Sequence, residues 1–348
     1  MKTNINVGSS IKKIIFDMLL ICLFILCVMN NRDPDFINYE NQYIAYGTGQ
    51  ASNLLYKYEP LYACCGILFY KLGLSFYQYR IFIFLIVFCV FRKVVLDYAK
   101  KPVFVLLCFM IFPFLLFCVQ MRNAVGIVFV MYGIRFLKSN TKRGNIKYII
   151  SIMIASMFHE MCFFYIVLVF VNHKNFYKFY KWFVMAEFVF IYTIFPAVLR
   201  IMFNITHNRR FWYYNTDVPP DVVIRHSFPV LLLVLLLLYC RTPRKSVMNK
   251  CLQTDELFIR CSLMSCSFIL FIKVNINFSR LIYFMMPFII ITLSNISSNI
   301  NKRIVKNDRY LLRSISIAVV SLYFILLLSP LQEESYISVT QAVLPWLK

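Results

Sequence analysis

Apolar runs of membrane-crossing length follow one another through nearly all of the 348 residues, separated by short polar connections. A hydrocarbon core of ~30 Å needs about 20 helical residues. Runs near that size fall at 14–30, 80–97, 102–119, 122–138, 147–171, 181–203, 223–240, 255–274, 280–297 and 312–330. A shorter run, 61–74, is interrupted by Lys71 and reads as re-entrant or interfacial. The pattern predicts an all-α, polytopic helical membrane protein with about 10–12 transmembrane or re-entrant helices, forming a single integral membrane domain over 1–348.

Composition agrees. The chain is 61% hydrophobic and 15% charged, with a mean hydropathy of +0.70, against roughly 45–50% apolar residues in soluble domains. Lys2, Lys12 and Lys13 ahead of Ile14–Val28 resemble the start of a signal peptide. Met29-Asn30-Asn31-Arg32 offers no small-residue cleavage site, so this run is expected to stay as the first transmembrane helix. The 12 cysteines lie mostly within apolar runs without a C-x-x-C pair, as small buried hydrophobes rather than disulfides or metal ligands. No cofactor motif and no metal site is expected.

The net charge of +22 sits in short clusters between apolar runs, where it sets topology rather than binding nucleic acid. Five connections are basic: 92–101, 138–147, 174–181, 241–250 and 302–313. The positive-inside rule puts them in the cytoplasm with the N-terminus. The acid-bearing segments near 30–60 and 204–222, and the C-terminal tail with Glu333 and Glu334, then lie outside. Two parity conditions follow. The pair 61–74 and 80–97 must make one crossing, and 147–171 must enter and leave on the cytoplasmic side by breaking near His159-Glu160 into two half-helices, unless it is a plain span with Lys174, Lys178 and Lys181 outside.

Charged side chains at membrane depth cost about 2.5–3.5 kcal/mol on insertion scales, so each marks a candidate site. Gln120-Met121-Arg122-Asn123 falls in a tight turn of an apolar hairpin. Its guanidinium could fork onto a phosphate or snorkel to headgroups. His159-Glu160 lies inside an apolar run, and a charged Glu160 would need a partner, either His159 or an arginine from another helix. Asn277-Phe278-Ser279-Arg280 places another arginine just ahead of an apolar helix. The segment 204–226 carries Arg209, Arg210, Trp212, Tyr213, Tyr214, Arg225 and His226, suited either to stacking on a sugar or to an interfacial aromatic belt. Asp33-Pro34-Asp35 is a D-x-D tripeptide on the outer side, where nucleotide sugars are not supplied, and there is no P-loop for ATP.

Taken in order, Asp35 to Tyr39, Glu59-Pro60-x-Tyr62, Gln120-x-Arg122-Asn123, Phe158-His159 and Arg280 resemble the EpsG-type family of exopolysaccharide and capsule polymerases, relatives of the Wzy O-antigen polymerases. The chain departs from that pattern at Leu61, where Gly is usual after Glu-Pro, and at Glu160, where a small or hydroxyl residue usually follows the His. The resemblance implies a metal-independent glycosyltransferase of the bacterial inner membrane. It would join undecaprenyl-diphosphate-linked repeat units on the outer face, with membrane lipid and a chain-length regulator protein as partners. Such chemistry asks for a cationic cradle around the leaving diphosphate and a base near the acceptor hydroxyl. Arg122, Arg280 and Arg210 are the diphosphate candidates. His159, Asp35 and Glu59 are the candidate catalytic groups, and Trp212, Tyr213 and Gln120 the sugar contacts. A flippase of lipid-linked sugars, expected to show paired halves, and a membrane O-acyltransferase, expected to keep its donor site on the cytoplasmic side, are the alternatives.

Overall fold

Apolar runs become helices because backbone groups beyond the reach of water must be satisfied within their own segment. The computed structural model describes residues 7–30, 34–50, 59–206, 218–241 and 252–299, with isolated helical positions at 314, 317–318 and 321. Among these residues every regular element is a helix. The first helices are α1 (Val7–Met29), α2 (Pro34–Thr48), α3 (Pro60–Lys71), α4 (Phe76–Tyr98), α5 (Pro102–Ile111), α6 (Phe114–Val119), α7 (Met121–Leu137) and α8 (Lys142–Phe158). A 3-10 helix, Glu160–Asn172, follows. Then come α9 (Phe176–Val189), a π-helical turn and α10 (Phe195–Thr206), α11 (Pro220–Arg241), α12 (Leu252–Ser267), two short 3-10 turns, α13 (Ser279–Tyr283) and α14 (Met286–Asn299).

Local chemistry sets several boundaries. Ser75 starts α4 through a capping box: its Oγ accepts from Gln78 N–H, and Gln78 Oε1 accepts from Ser75 N–H at 2.7 Å. The run 102–119 is split at Pro113, which forces Phe112 into extended backbone and separates α5 from α6. The 30–60 segment, expected as a loop, carries the 15-residue α2. α2 buries Phe36, Tyr39, Tyr43 and Tyr46 against the bundle. The predicted span 181–203 extends to a 30-residue apolar stretch, Phe176–Ile205. The predicted 312–330 span lies largely outside the described residues.

The segment 147–171 does break at His159, whose backbone is extended. Tyr148 OH donates to Tyr165 O at 2.9 Å, although 17 residues of continuous α-helix would hold them about 25 Å apart. Asn172 Nδ2 donates to Leu137 O, returning the chain to the end from which α8 began. The 3-10 helix therefore runs back alongside α8, with His159 at the tip. At ~2.0 Å per residue its 13 residues rise about 26 Å, as much as the 17 residues of α8 rise at 1.5 Å each. Two legs of unequal residue count thus reach the same depth.

One end of the bundle collects the described basic connections, 92–101, 138–147 and 174–181. There Asn295 Nδ2 donates to Tyr98 O, Lys100 N–H donates to Asn295 Oδ1, and Lys138 Nζ lies 4.7 Å over the Tyr98 ring. Gln120, His159 and Arg280 lie at the other end. Three described stretches are long and apolar enough to cross a membrane: Phe176–Ile205, Pro220–Leu238 and Ile276–Ser298. Ile276–Ser298 is almost wholly buried and forms the centre of the bundle. Phe176–Ile205 is mostly exposed and presents Trp182, Met185, Ile201 and Ile205 outward, as a helix facing lipid does.

Candidate active site

Arg122 enters the site from the first turn of α7, next to the Gln120–Met121 junction where α6 gives way to α7. The first N–H groups of a helix lack intrahelical acceptors, so the N-terminus of α7 adds partial positive charge beside the guanidinium. Arg122 Nη1 donates to Glu59 Oε2 at 2.5 Å. The guanidinium also lies over the rings of Tyr39 and Tyr62, at 5.2 and 5.9 Å from their centroids, and its Nε has no hydrogen-bond partner. Glu59 holds the cation through Nη1, while the Nε is buried.

Glu59 immediately precedes α3, and its two oxygens serve two partners. Oε2 holds Arg122, and Oε1 meets His159 Nδ1 at 2.6 Å. It lies outside the spanning helices and is only 3% exposed. Burial by itself pushes its carboxyl up. The hydrogen bond from His159 and the charge of Arg122 outweigh that and bring it down to about 2. An ionised carboxylate only accepts, so His159 Nδ1 carries the proton between them and Nε2 is the ring's remaining position.

The hairpin tip can bring His159 this close because Gly126 of α7 has no side chain. A Cβ at Gly126 would lie 2.6 Å from Cys162 Sγ, 3.1 Å from Ala155 O and 3.6 Å from His159 Cβ. Arg280 comes from α13, at the head of the central buried stretch. With the Gln120 carboxamide oxygen turned toward it, Arg280 donates from Nε at 3.1 Å and from Nη2 at 3.3 Å. Among the described residues no ion pair engages Arg280.

These groups open on one cavity of about 170 Å³, lined by Asp35, Asn38, Tyr39, Gln42, Gln120, Arg122, Asn123, His159 and Arg280. Two guanidiniums and a helix N-terminus give one part of it a positive field, and a carboxylate-paired imidazole stands beside them. Such a constellation can hold an anionic leaving group and accept a proton.

A family model described as the EpsG family matches residues 14–339, nearly the whole chain. The chain belongs to the EpsG family. That family is one of Wzy-like exopolysaccharide polymerases, and it gives this membrane protein a general role in polysaccharide polymerisation. Neither a curated protein nor a solved structure matches the chain.

Within this EpsG chain, six sequence-predicted residues come together: Asp35, Gln120, Arg122, His159 and Arg280 line the cavity, and Glu59 underlies it. Arg210, Trp212 and Tyr213 lie outside the described residues. The carboxylate hydrogen-bonded to His159 Nδ1 is that of Glu59, 100 residues away, rather than that of its neighbour Glu160.

Sequence reasoning missed Gln42 and gave no role to Asn38 or Asn123, which lie within its motifs. The first two share a helical face with Asp35 and Tyr39, a spacing visible only once 34–48 is read as a helix. It also missed Arg80, fully buried in α4. Arg80 Nη2 donates to Cys27 O at 2.8 Å and to Cys118 O at 3.2 Å, with the Phe36 and Phe84 rings about its guanidinium. It ties α1, α4 and α6 together close to Gln120.

Proposed function

We propose that this EpsG chain polymerises lipid-diphosphate-linked oligosaccharide repeat units at the outer face of the bacterial inner membrane. The observation that carries the reading is the convergence of Arg122 and Arg280 on one cavity beside a Glu59-paired His159. The sidedness rests on the described basic connections, 92–101 and 138–147, which gather at the opposite end of the bundle.

In this scheme a hydroxyl of the incoming repeat unit attacks the anomeric carbon of the growing chain. The bond from that carbon to the diphosphate oxygen breaks, and the carrier lipid departs as its diphosphate. His159 Nε2 takes the hydroxyl proton. Glu59 holds the ring through Nδ1–H and stabilises the imidazolium that forms, as an orienting carboxylate does in a hydrolase triad. Glu59 is therefore assigned as the orienting group rather than the base.

Arg280 and Arg122, which both line the cavity, receive the charge that develops on the diphosphate, in a site where low dielectric strengthens the attraction. Two guanidiniums and a helix N-terminus offset this charge, so the scheme calls for no metal. The cavity is smaller than the ~300–1,000 Å³ typical of pockets that enclose a whole drug-sized ligand. It seats the reacting junction and leaves the rest of the glycan outside.

The test uses purified protein in liposomes with lipid-linked repeat units extracted from polymerase-deleted cells. The wild type gives a ladder of polymer and releases carrier-lipid diphosphate in step with each linkage. His159→Ala lowers that rate by about 100- to 10,000-fold, the usual contribution of a positioned base. Polymer formed without release of carrier diphosphate would contradict the proposal.

A further inference from the structure

The walls of the cavity differ in chemistry. Arg122 and Arg280 come from α7 and α13, whereas Asp35, Asn38, Tyr39 and Gln42 all come from α2. Positions 35, 38, 39 and 42 follow the three-and-four spacing of one helical face. Other positions of the same helix, Ile37 and Ile44, point away from the cavity and are exposed. α2 therefore turns a stripe of one carboxylate and two carboxamides toward the site.

That stripe is wrong for a phosphate and right for a sugar. Asp35 would repel the diphosphate that the arginines attract. A carboxylate accepts only, whereas each carboxamide offers both donors and acceptors. Together they match the hydroxyls of a pyranose, each of which can donate and accept. Gln42 Oε1 adds an independent observation: it is buried and has no hydrogen-bond partner. A buried acceptor left unpaired carries a desolvation cost that a ligand donor removes.

We propose that Asp35, Asn38 and Gln42 bind the hydroxyls of the sugar ring attached directly to the carrier diphosphate, so that α2 selects which repeat unit is polymerised. This rests on the polymerase reading above, because the arginines fix the end of the substrate at which the ring must lie. With the diphosphate on Arg122 and Arg280, the small cavity leaves the attached ring facing α2.

Two ligands separate the sugar contacts from the diphosphate contacts: undecaprenyl diphosphate itself, and the lipid-linked repeat unit extracted from polymerase-deleted cells. Binding of each is measured to the purified full chain. Asn38→Ala and Gln42→Ala are each expected to weaken the repeat unit by about 3- to 10-fold, the scale of one neutral hydrogen bond, while undecaprenyl diphosphate stays within twofold of wild type. Gln42→Met, of similar length, removes the carboxamide acceptor, and is expected to weaken the repeat unit without unfolding α2. Ile37→Ala and Ile44→Ala, on the exposed face, should alter neither affinity. Equal weakening of both ligands by the α2 variants, or no weakening of the repeat unit, overturns the assignment. Failure of the polymerase reading looks different: undecaprenyl diphosphate would then bind wild type and Arg280→Ala alike.

Discussion

Glu59 reaches His159 across 100 residues of chain, Oε1 to Nδ1 at 2.6 Å. Its other oxygen holds Arg122. One carboxylate thus locks the entry to α3, the start of α7 and the tip of the α8 hairpin into a single arrangement.

The pair has a pH signature. The Glu59 carboxyl stands at about 2 in the folded protein against an ordinary value of 4.5. Its stabilisation is therefore complete above pH 4.5 and lost as pH falls toward 2, amounting to roughly 3 kcal/mol. Thermal unfolding in detergent should show wild-type stability declining below pH 4.5. Glu59→Gln should start lower at neutral pH and show a shallower decline over that range. Equal acid slopes in the two proteins would remove Glu59 from this role.

Gly126 sets the depth of His159. Gly126→Ala places a methyl 2.6 Å from Cys162 Sγ, an overpacking expected to destabilise by about 1–3 kcal/mol and to lower polymer yield by shifting the tip. Adding Cys162→Ala should recover part of the stability, because the closest clash goes while the Ala155 carbonyl at 3.1 Å remains. A double variant no more stable than Gly126→Ala alone would show that the thiol contact is not limiting.

Much of this was legible in the sequence because bilayers penalise polar residues. Arg122, Gln120 and Arg280 stood out as charges and amides among apolar runs, and all three line the cavity. The break at His159 was one of the two readings that counting basic connections allowed. The link from Glu59 to His159 was not legible, since a contact between residues 100 apart leaves no local pattern. α2 was hidden for another reason: its tyrosines and amides give no apolar run, so its helical face emerged only with the fold. The 3-10 winding of Glu160–Asn172 escaped too, because a segment apolar on nearly every side carries no periodicity to separate 3.0 from 3.6 residues per turn.

The hairpin makes a topological prediction. Reporter domains fused after Ser139 and after Lys174 should report the same side of the membrane, because the two legs around His159 return the chain to its starting end. Opposite sides would restore the single-span reading of 147–171.

Chelation provides another check. Polymer formation by the purified protein should be unchanged in excess EDTA, since the guanidiniums of Arg122 and Arg280 supply the positive charge that the leaving diphosphate requires. A loss of activity restored by a divalent cation would overturn that part of the scheme.

The most direct test of the central claim is the lipid-linked glycan profile of cells carrying Arg122→Ala or Arg280→Ala at normal protein levels. The account predicts no polymer and accumulation of single repeat units on the carrier lipid in both. Arg122→Lys should also fail, because an ammonium cannot grip Glu59 and a phosphate through two edges of one planar group. Normal-length polymer from either alanine variant would contradict it.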